Sequence, residues 1–191
     1  MEKYTEGGEF QGAAVAPNGR IYGCPKEQGT VLKVDPDRDV VAELTFTRPG
    51  TDKWSHPAAS GSRVYCSPTG ATSILAINSL TDTITFITGA ANHRAGVAGA
   101  DGTVYLFPSA TGTVKYLPEE SSMVHTMAGT SAPGGLDVAV AVASGRVYAY
   151  QTAATAATVL PCLPGPVCAG GICAALGANL TAGHAVVTAE G

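Results

Sequence analysis

Four groups of side chains in this chain could do chemistry. Asp35, Asp37 and Asp39 alternate along a short stretch, as carboxylates do when they present oxygens to a calcium ion. An EF-hand loop needs Gly at its sixth position, and counting from Asp35 that position is Val40. The triad therefore reads as turn residues. Cys162, Cys168 and Cys173, with His184 downstream, supply three thiols and an imidazole for zinc. Their gaps of five and four residues are wider than the tight knuckles of structural zinc sites, and cysteine is also a common small core residue. His56 and His93 stand at the starts of two similar segments and could serve as metal ligands or acid–base groups. No serine elbow or His-Glu helix motif accompanies them, so they read as strand-end residues. His125 falls in a strand and suggests nothing more. Trp54 could stack on a sugar or a base, yet aromatic residues at such positions more commonly pack between structural units. Asn179-Leu180-Thr181 is a glycosylation sequon, relevant only to a secreted chain. No side chain is assigned to catalysis, to a cofactor or to a metal.

The elements that must position these residues repeat. Tyr22, Tyr65, Tyr105 and Tyr148 each follow a β-branched residue, at steps of 43, 40 and 43 residues. A fixed period of this size signals a repeat architecture. Each unit opens with a small apolar stretch such as Gly12-Ala13-Ala14-Val15-Ala16. A turn follows: Pro17-Asn18-Gly19, then Gly61, Asp101-Gly102 and Ser144-Gly145 in the later units. The strand bearing the tyrosine comes next. A third strand (Val31 to Asp35, echoed by Ile74 to Asn78) and a fourth (Val40 to Leu44, echoed by Thr83 to Ile87) close the unit. No segment has a helical period.

Four short antiparallel strands per forty residues predict an all-β β-propeller of about five blades, with four repeats of 40–43 residues and a partial fifth. Small residues in the first strand suit the crowded axis of such a ring. The predicted layout is blade 1 over 10–50, blade 2 over 51–90, blade 3 over 91–130, blade 4 over 131–162 and a partial blade 5 over 163–191. Residues 1–9 either complete the last blade or leave its edge to another chain. The strings GAAVAPNGRIYGCP and TVLKVDPDRDVVAEL resemble YVTN and NHL-type propeller repeats, in which a turn ending in Gly precedes an apolar-Tyr pair. That resemblance implies a ring of blades and no single activity.

Composition narrows the functions. The 191 residues are 45% hydrophobic, but only 14% are charged, against about 25% in ordinary soluble domains. A surface of small neutral residues offers little repulsion against association. The net charge of −4, without a run of Lys or Arg, gives no footprint for nucleic acid. No apolar run is long enough for a membrane helix. The polar segment Met1 to Glu6 does not read as a signal peptide, which points to an intracellular or virion setting. Five cysteines, an odd number, point to free thiols. The expected function is a non-enzymatic structural or interaction module of a larger assembly, with protein subunits or copies of itself as partners and no cofactor. The alternatives are a metal-dependent hydrolase or lactonase and a carbohydrate-binding propeller.

Overall fold

The computed structural model describes residues 10–47, 53–128, 132, 138–141 and 147–150. These residues form strands, with no helix among them. The first sheet contains β1 (Phe10–Val15), β2 (Ile21–Pro25), β3 (Thr30–Asp35) and β4 (Val40–Thr45). The second contains β5 (Ser55–Ser60), β6 (Arg63–Ser67), β7 (Ser73–Asn78) and β8 (Thr83–Thr88). The third contains β9 (His93–Ala98), β10 (Val104–Pro108), β11 (Lys115–Leu117) and β12 (His125–Thr126). A two-stranded ribbon, β13 (Val138–Ala141) and β14 (Val147–Tyr150), follows. Each sheet is an antiparallel meander in chain order. Strands β1, β5, β9 and β13 are neighbours in succession, so they form the inner layer.

Local chemistry explains the meander. Ala16 and Arg20 close the β1–β2 hairpin, and Gly19 sits at φ 80°. That backbone conformation is easy for glycine, and Gly61 and Gly102 take it at the aligned turns. The turn between third and fourth strands repeats too, because Asp39, Asp82 and Glu120 all adopt φ between 52° and 57° there.

Each sheet has two apolar faces, and the register says which side chains share one. Ala14, Tyr22, Lys33 and Ala42 lie in one row across the first sheet. This forward face meets the second sheet, where Val64, Cys66, Leu75 and Ile77 are fully buried with Tyr22, Cys24, Val31 and Trp54. The second junction buries Tyr65, Ile74 and Ala76 against Val104, Leu106 and Leu117. The third places Tyr105, Phe107, Val114 and Met127 with Val147 and Ala149. The inner strands approach closely. A Cβ on Gly96 would lie 2.5 Å from Ser67 Oγ and 3.1 Å from the His56 carbonyl oxygen.

The expectation of free thiols is corrected at one pair. Cys24 and Cys66 form a disulfide, with their Cα atoms 5.8 Å apart. Both are fully buried, and the bond ties the first sheet to the second. The odd cysteine total spoke only of composition. The separation of 42 residues is one less than the step from Tyr22 to Tyr65. On strands whose side chains alternate, that offset puts the thiols on opposite faces of their own sheets, and so toward each other across the junction. Cys162, Cys168, Cys173, His184, Asn179 and the predicted fifth unit lie outside the described residues.

Two outcomes follow. Non-reducing peptide mapping yields a Cys24–Cys66 cross-link, and replacing both cysteines by alanine costs about 2–4 kcal/mol in urea unfolding, as expected for a bridged loop of this length. Gly96→Ala, which overpacks the inner layer, costs about 1–3 kcal/mol in the same assay. An unchanged midpoint in either variant contradicts this packing.

Candidate functional site at the turn rim

In a meander, the turn between first and second strands and the turn between third and fourth strands lie at the same end of the sheet. This rim carries a polar network that joins sheet to sheet. Its core is Asp82, in the β7–β8 turn of the second sheet. The Tyr22 hydroxyl donates to Asp82 Oδ1 at 2.9 Å, and Lys33 Nζ lies 2.5 Å from Asp82 Oδ2. The Asn18 side chain donates to the Ser79 carbonyl at 2.6 Å. One sheet therefore holds the next by its turn.

The next junction repeats the clasp with other residues. Arg63 Nε lies 3.2 Å from Glu120 Oε2. The Ser62 backbone N–H donates to Glu120 Oε1, and the Ser60 hydroxyl donates to the Gly102 carbonyl. Burial pushes the Tyr65 phenol above its ordinary value, and Arg63 beside it works the other way. For the Tyr22 phenol, burial and then the Asp82 carboxylate both push upward.

Between the first two sheets the rim opens into a cleft of about 370 Å³ lined by Asn18, Arg20, Asp35, Asp37, Arg38 and Leu80, among others. Asp35 Oδ2 accepts from Arg20 at 3.4 Å and from Arg38 at 3.3 Å. Asp35 Oδ1 accepts from the Arg38 backbone N–H at 3.3 Å. The triad Asp35, Asp37, Asp39 is thus the β3–β4 turn of the first sheet, with Asp35 acting as its internal acceptor.

The histidines are placed elsewhere. His56 and His93 head the inner strands β5 and β9, at the end opposite the β1–β2 type of turn. His93 is buried, with Nδ1 2.8 Å from the Ala91 carbonyl and Nε2 3.3 Å from that of Thr113. Burial pulls its pKa below the ordinary value against the effect of those carbonyls. His56 sits at φ 40° within the bulge of β5. His125 stacks on Tyr116 with ring centres 5.1 Å apart. Among the described residues no three His, Cys, Asp or Glu side chains come together as metal ligands. Trp54 is fully buried between Phe46 and Phe86 and donates to the Ser73 carbonyl at 2.7 Å, so it is closed to a stacking ligand.

Sequence reasoning missed Lys53, Lys33, Asp82 and the Arg63–Glu120 pair. Lys53 is 5% exposed, with Nζ 5.9 Å from the Trp54 ring centre, and burial lowers its pKa. The step of 43 residues from Asp39 to Asp82 was a readable signal for the repeated turn acid.

Comparison with solved structures adds the architecture. Virginiamycin B lyase from Staphylococcus aureus superposes with a TM-score of 0.60 at 16% identity, over 76% of this chain and 50% of that one. A streptogramin B lyase structure matches with a TM-score of 0.60 at 14% identity, over 82% and 52%. The fold is of the β-propeller type. Hydrazine synthase of Kuenenia stuttgartiensis also matches, with a TM-score of 0.61 at 13% identity, over 82% and 48%. The chain spans about half the length of these proteins, and at such identities the likeness is one of fold. No protein-family model matches the chain, and no curated protein matches it in sequence.

The clasp predicts a pH dependence. Burial pushes the Asp82 carboxyl upward, but the Lys33 and Tyr22 hydrogen bonds outweigh it and hold the group below its ordinary 3.8. Folding thus favours the carboxylate. Its stabilising effect is complete above the unfolded-state value and is lost as pH falls through the folded one. Asp82→Asn, which tolerates the same backbone turn, loses about 1–2 kcal/mol at neutral pH. That deficit shrinks below about pH 4. Guanidinium unfolding of both proteins across this range checks it, and a deficit independent of pH contradicts it.

Proposed function

We propose that the chain is a β-propeller interaction module, a non-enzymatic scaffold of five blades seated in a larger protein assembly such as a multi-subunit complex or a virion. The observation that carries this reading is the placement of exposed large apolar residues. Leu80 is 70% exposed, Met123 65% and Val40 49%. All three flank the turn between third and fourth strands, in three successive blades. The propeller meander therefore aligns them along one rim, beside the polar cleft that holds Asp37 and Arg38.

Apolar groups spaced along a rim and interspersed with charges suit a protein partner, because hydrophobic side chains supply affinity and the surrounding polar groups set orientation. The sparse charge of the chain suits the same role. The aromatic and ionic groups most able to do chemistry in the described blades, Tyr22, Lys33, Asp82, Arg63 and Glu120, are engaged in holding blade to blade. The partner is another protein subunit, with a second copy of this chain included in that class.

The test is sedimentation velocity on the full chain and on a Leu80→Glu, Met123→Glu double variant, with cross-linking in the native source. The wild-type chain associates with itself or with a captured subunit. The double variant loses that association about a hundredfold while its unfolding midpoint stays within roughly 0.5 kcal/mol, because the altered positions are exposed. A wild-type chain that stays monomeric and captures nothing overturns the reading. So does turnover of a lactone that requires a divalent metal and is abolished by His56→Ala.

A further inference from the structure

The second junction shows what would fill the cleft at the first. Arg20 and Arg63 both stand two residues before an aligned tyrosine, at the same turn of successive blades. Arg63 is engaged by the next blade: its Nε lies 3.2 Å from Glu120 Oε2, and its Nη1 donates to the Ser121 carbonyl at 3.3 Å. Glu120 also accepts from the Ser62 backbone N–H. The carboxylate lies so close over this turn that a Cβ built on Gly61 would collide with Glu120 Oε1. Over Gly19, in the aligned turn of the first blade, a Cβ would meet nothing within 4 Å. That open space belongs to the rim cleft, which Gly19 lines together with Arg20 and Arg38.

The register explains why the two arginines differ. Lys33 is the cross-strand partner of Tyr22, whereas Ala76 holds that place beside Tyr65. The turn acid Asp82 is therefore drawn to Lys33 and Tyr22, and Glu120, which meets no lysine there, turns to Arg63. Arg20 pairs instead with an acid of its own blade, Asp35, where the second blade has Asn78. Asp35 serves the Arg20 and Arg38 guanidiniums at once and accepts the Arg38 backbone N–H as well. One carboxylate cannot satisfy all the N–H donors of two arginines. The Arg20 and Arg38 side chains stay 25% and 71% exposed, so the surplus donors are open to a ligand. Asp37 lines the same cleft, and its charge works against a multiply charged anion such as a phosphate. A single carboxylate meets less repulsion, and the exposed Leu80 beside it suits an apolar neighbour of that acid.

We propose that the cleft between the first two blades binds a carboxylate side chain from an acidic segment of the partner protein, held by Arg20 and Arg38 as Glu120 is held by Arg63. The proposal rests on the reading of the rim as a protein-binding surface and names the chemistry of what docks there. The probe is a blocked synthetic peptide with the sequence of residues 117–124, which carries Glu119, Glu120 and the apolar Met123. It is titrated into the full chain while the arginine Nε–H resonances are followed by NMR. The Arg20 and Arg38 resonances shift with saturation. The peptide carrying Glu119→Gln and Glu120→Gln binds about tenfold more weakly, as loss of a charge-assisted hydrogen bond requires. In the protein, Arg38→Gln at an exposed position weakens binding about fivefold, and Asp37→Asn strengthens it about threefold, a gain that a damaged fold would not give. Equal binding of the two peptides overturns the proposal, as does the absence of saturable shifts at Arg20 and Arg38. Shifts confined to Arg63, where the peptide merely replaces the chain's own loop, overturn it too. The rim reading fails separately. Peptide binding by a chain that stays monomeric and captures no subunit sustains the cleft without it. Association that Arg20→Gln with Arg38→Gln leaves undiminished overturns the carboxylate assignment and leaves the rim reading standing.

Discussion

The structure depends on a single constraint: a four-stranded sheet of this composition has two apolar faces and cannot cover either by itself. Burying a Val or Ile side chain contributes about 1.5–3 kcal/mol, and each blade carries such residues on both sides. The neighbouring sheet supplies the cover at each of the three described junctions. This fixes the small residues of the inner strands, where Gly96 leaves no space for a Cβ. It also fixes the tyrosine. A phenol in the middle of an apolar junction needs a polar partner for its hydroxyl. Tyr22 finds one at the end of the junction, in Asp82 and the Ser79 carbonyl of the following blade's turn. At the first junction the rim clasp is thus a consequence of the buried phenol.

The three junctions share this geometry and differ in chemistry. The first is held by the Cys24–Cys66 disulfide, by Trp54 between Phe46 and Phe86, and by the Tyr22–Asp82–Lys33 group. The second has an aliphatic centre of Ile74, Leu106 and Leu117, with Arg63 and Glu120 at the rim. The third relies on Phe107, Met127 and Val114. A repeat can hold its backbone and vary its fasteners because the register alone decides which side chains face the neighbour. A one-residue slip would turn Tyr22 away from the second blade and bring Ile21 toward it.

The same rule explains what was legible in the sequence. The tyrosine spacing, the turn glycines and the small inner strands could be read, because each is a local demand of the backbone repeated in every unit. Trp54 and the Asp35–Asp39 turn could be weighed correctly for that reason. The disulfide was hidden by counting cysteines, when the informative quantity was their offset from the tyrosines. Glu120 was hidden because the loop between β11 and β12, residues 118–124, is longer than the 79–82 turn it replaces, so alignment by spacing fails there. The burial of Lys53 left no trace in the pattern. Its ammonium lies 6.0 Å from the Phe46 ring centre and 5.9 Å from that of Trp54, an arrangement made by tertiary packing.

The turn between third and fourth strands divides its residues between a clamped acid and exposed neighbours. Asp39, Asp82 and Glu120 take the same left-handed conformation, at a cost that an L-residue accepts only where the turn is fixed by its surroundings. In the second and third blades the acid points back to the preceding blade and is held by it. The residues beside it, Leu80 and Met123, expose their side chains to solvent. The blade faces at the three described junctions are committed to packing and the inner strands to close approach, so neither can vary freely. A rim side chain next to a clamped acid is different. It is exposed and takes no part in the buried junctions, as at Leu80 and Met123.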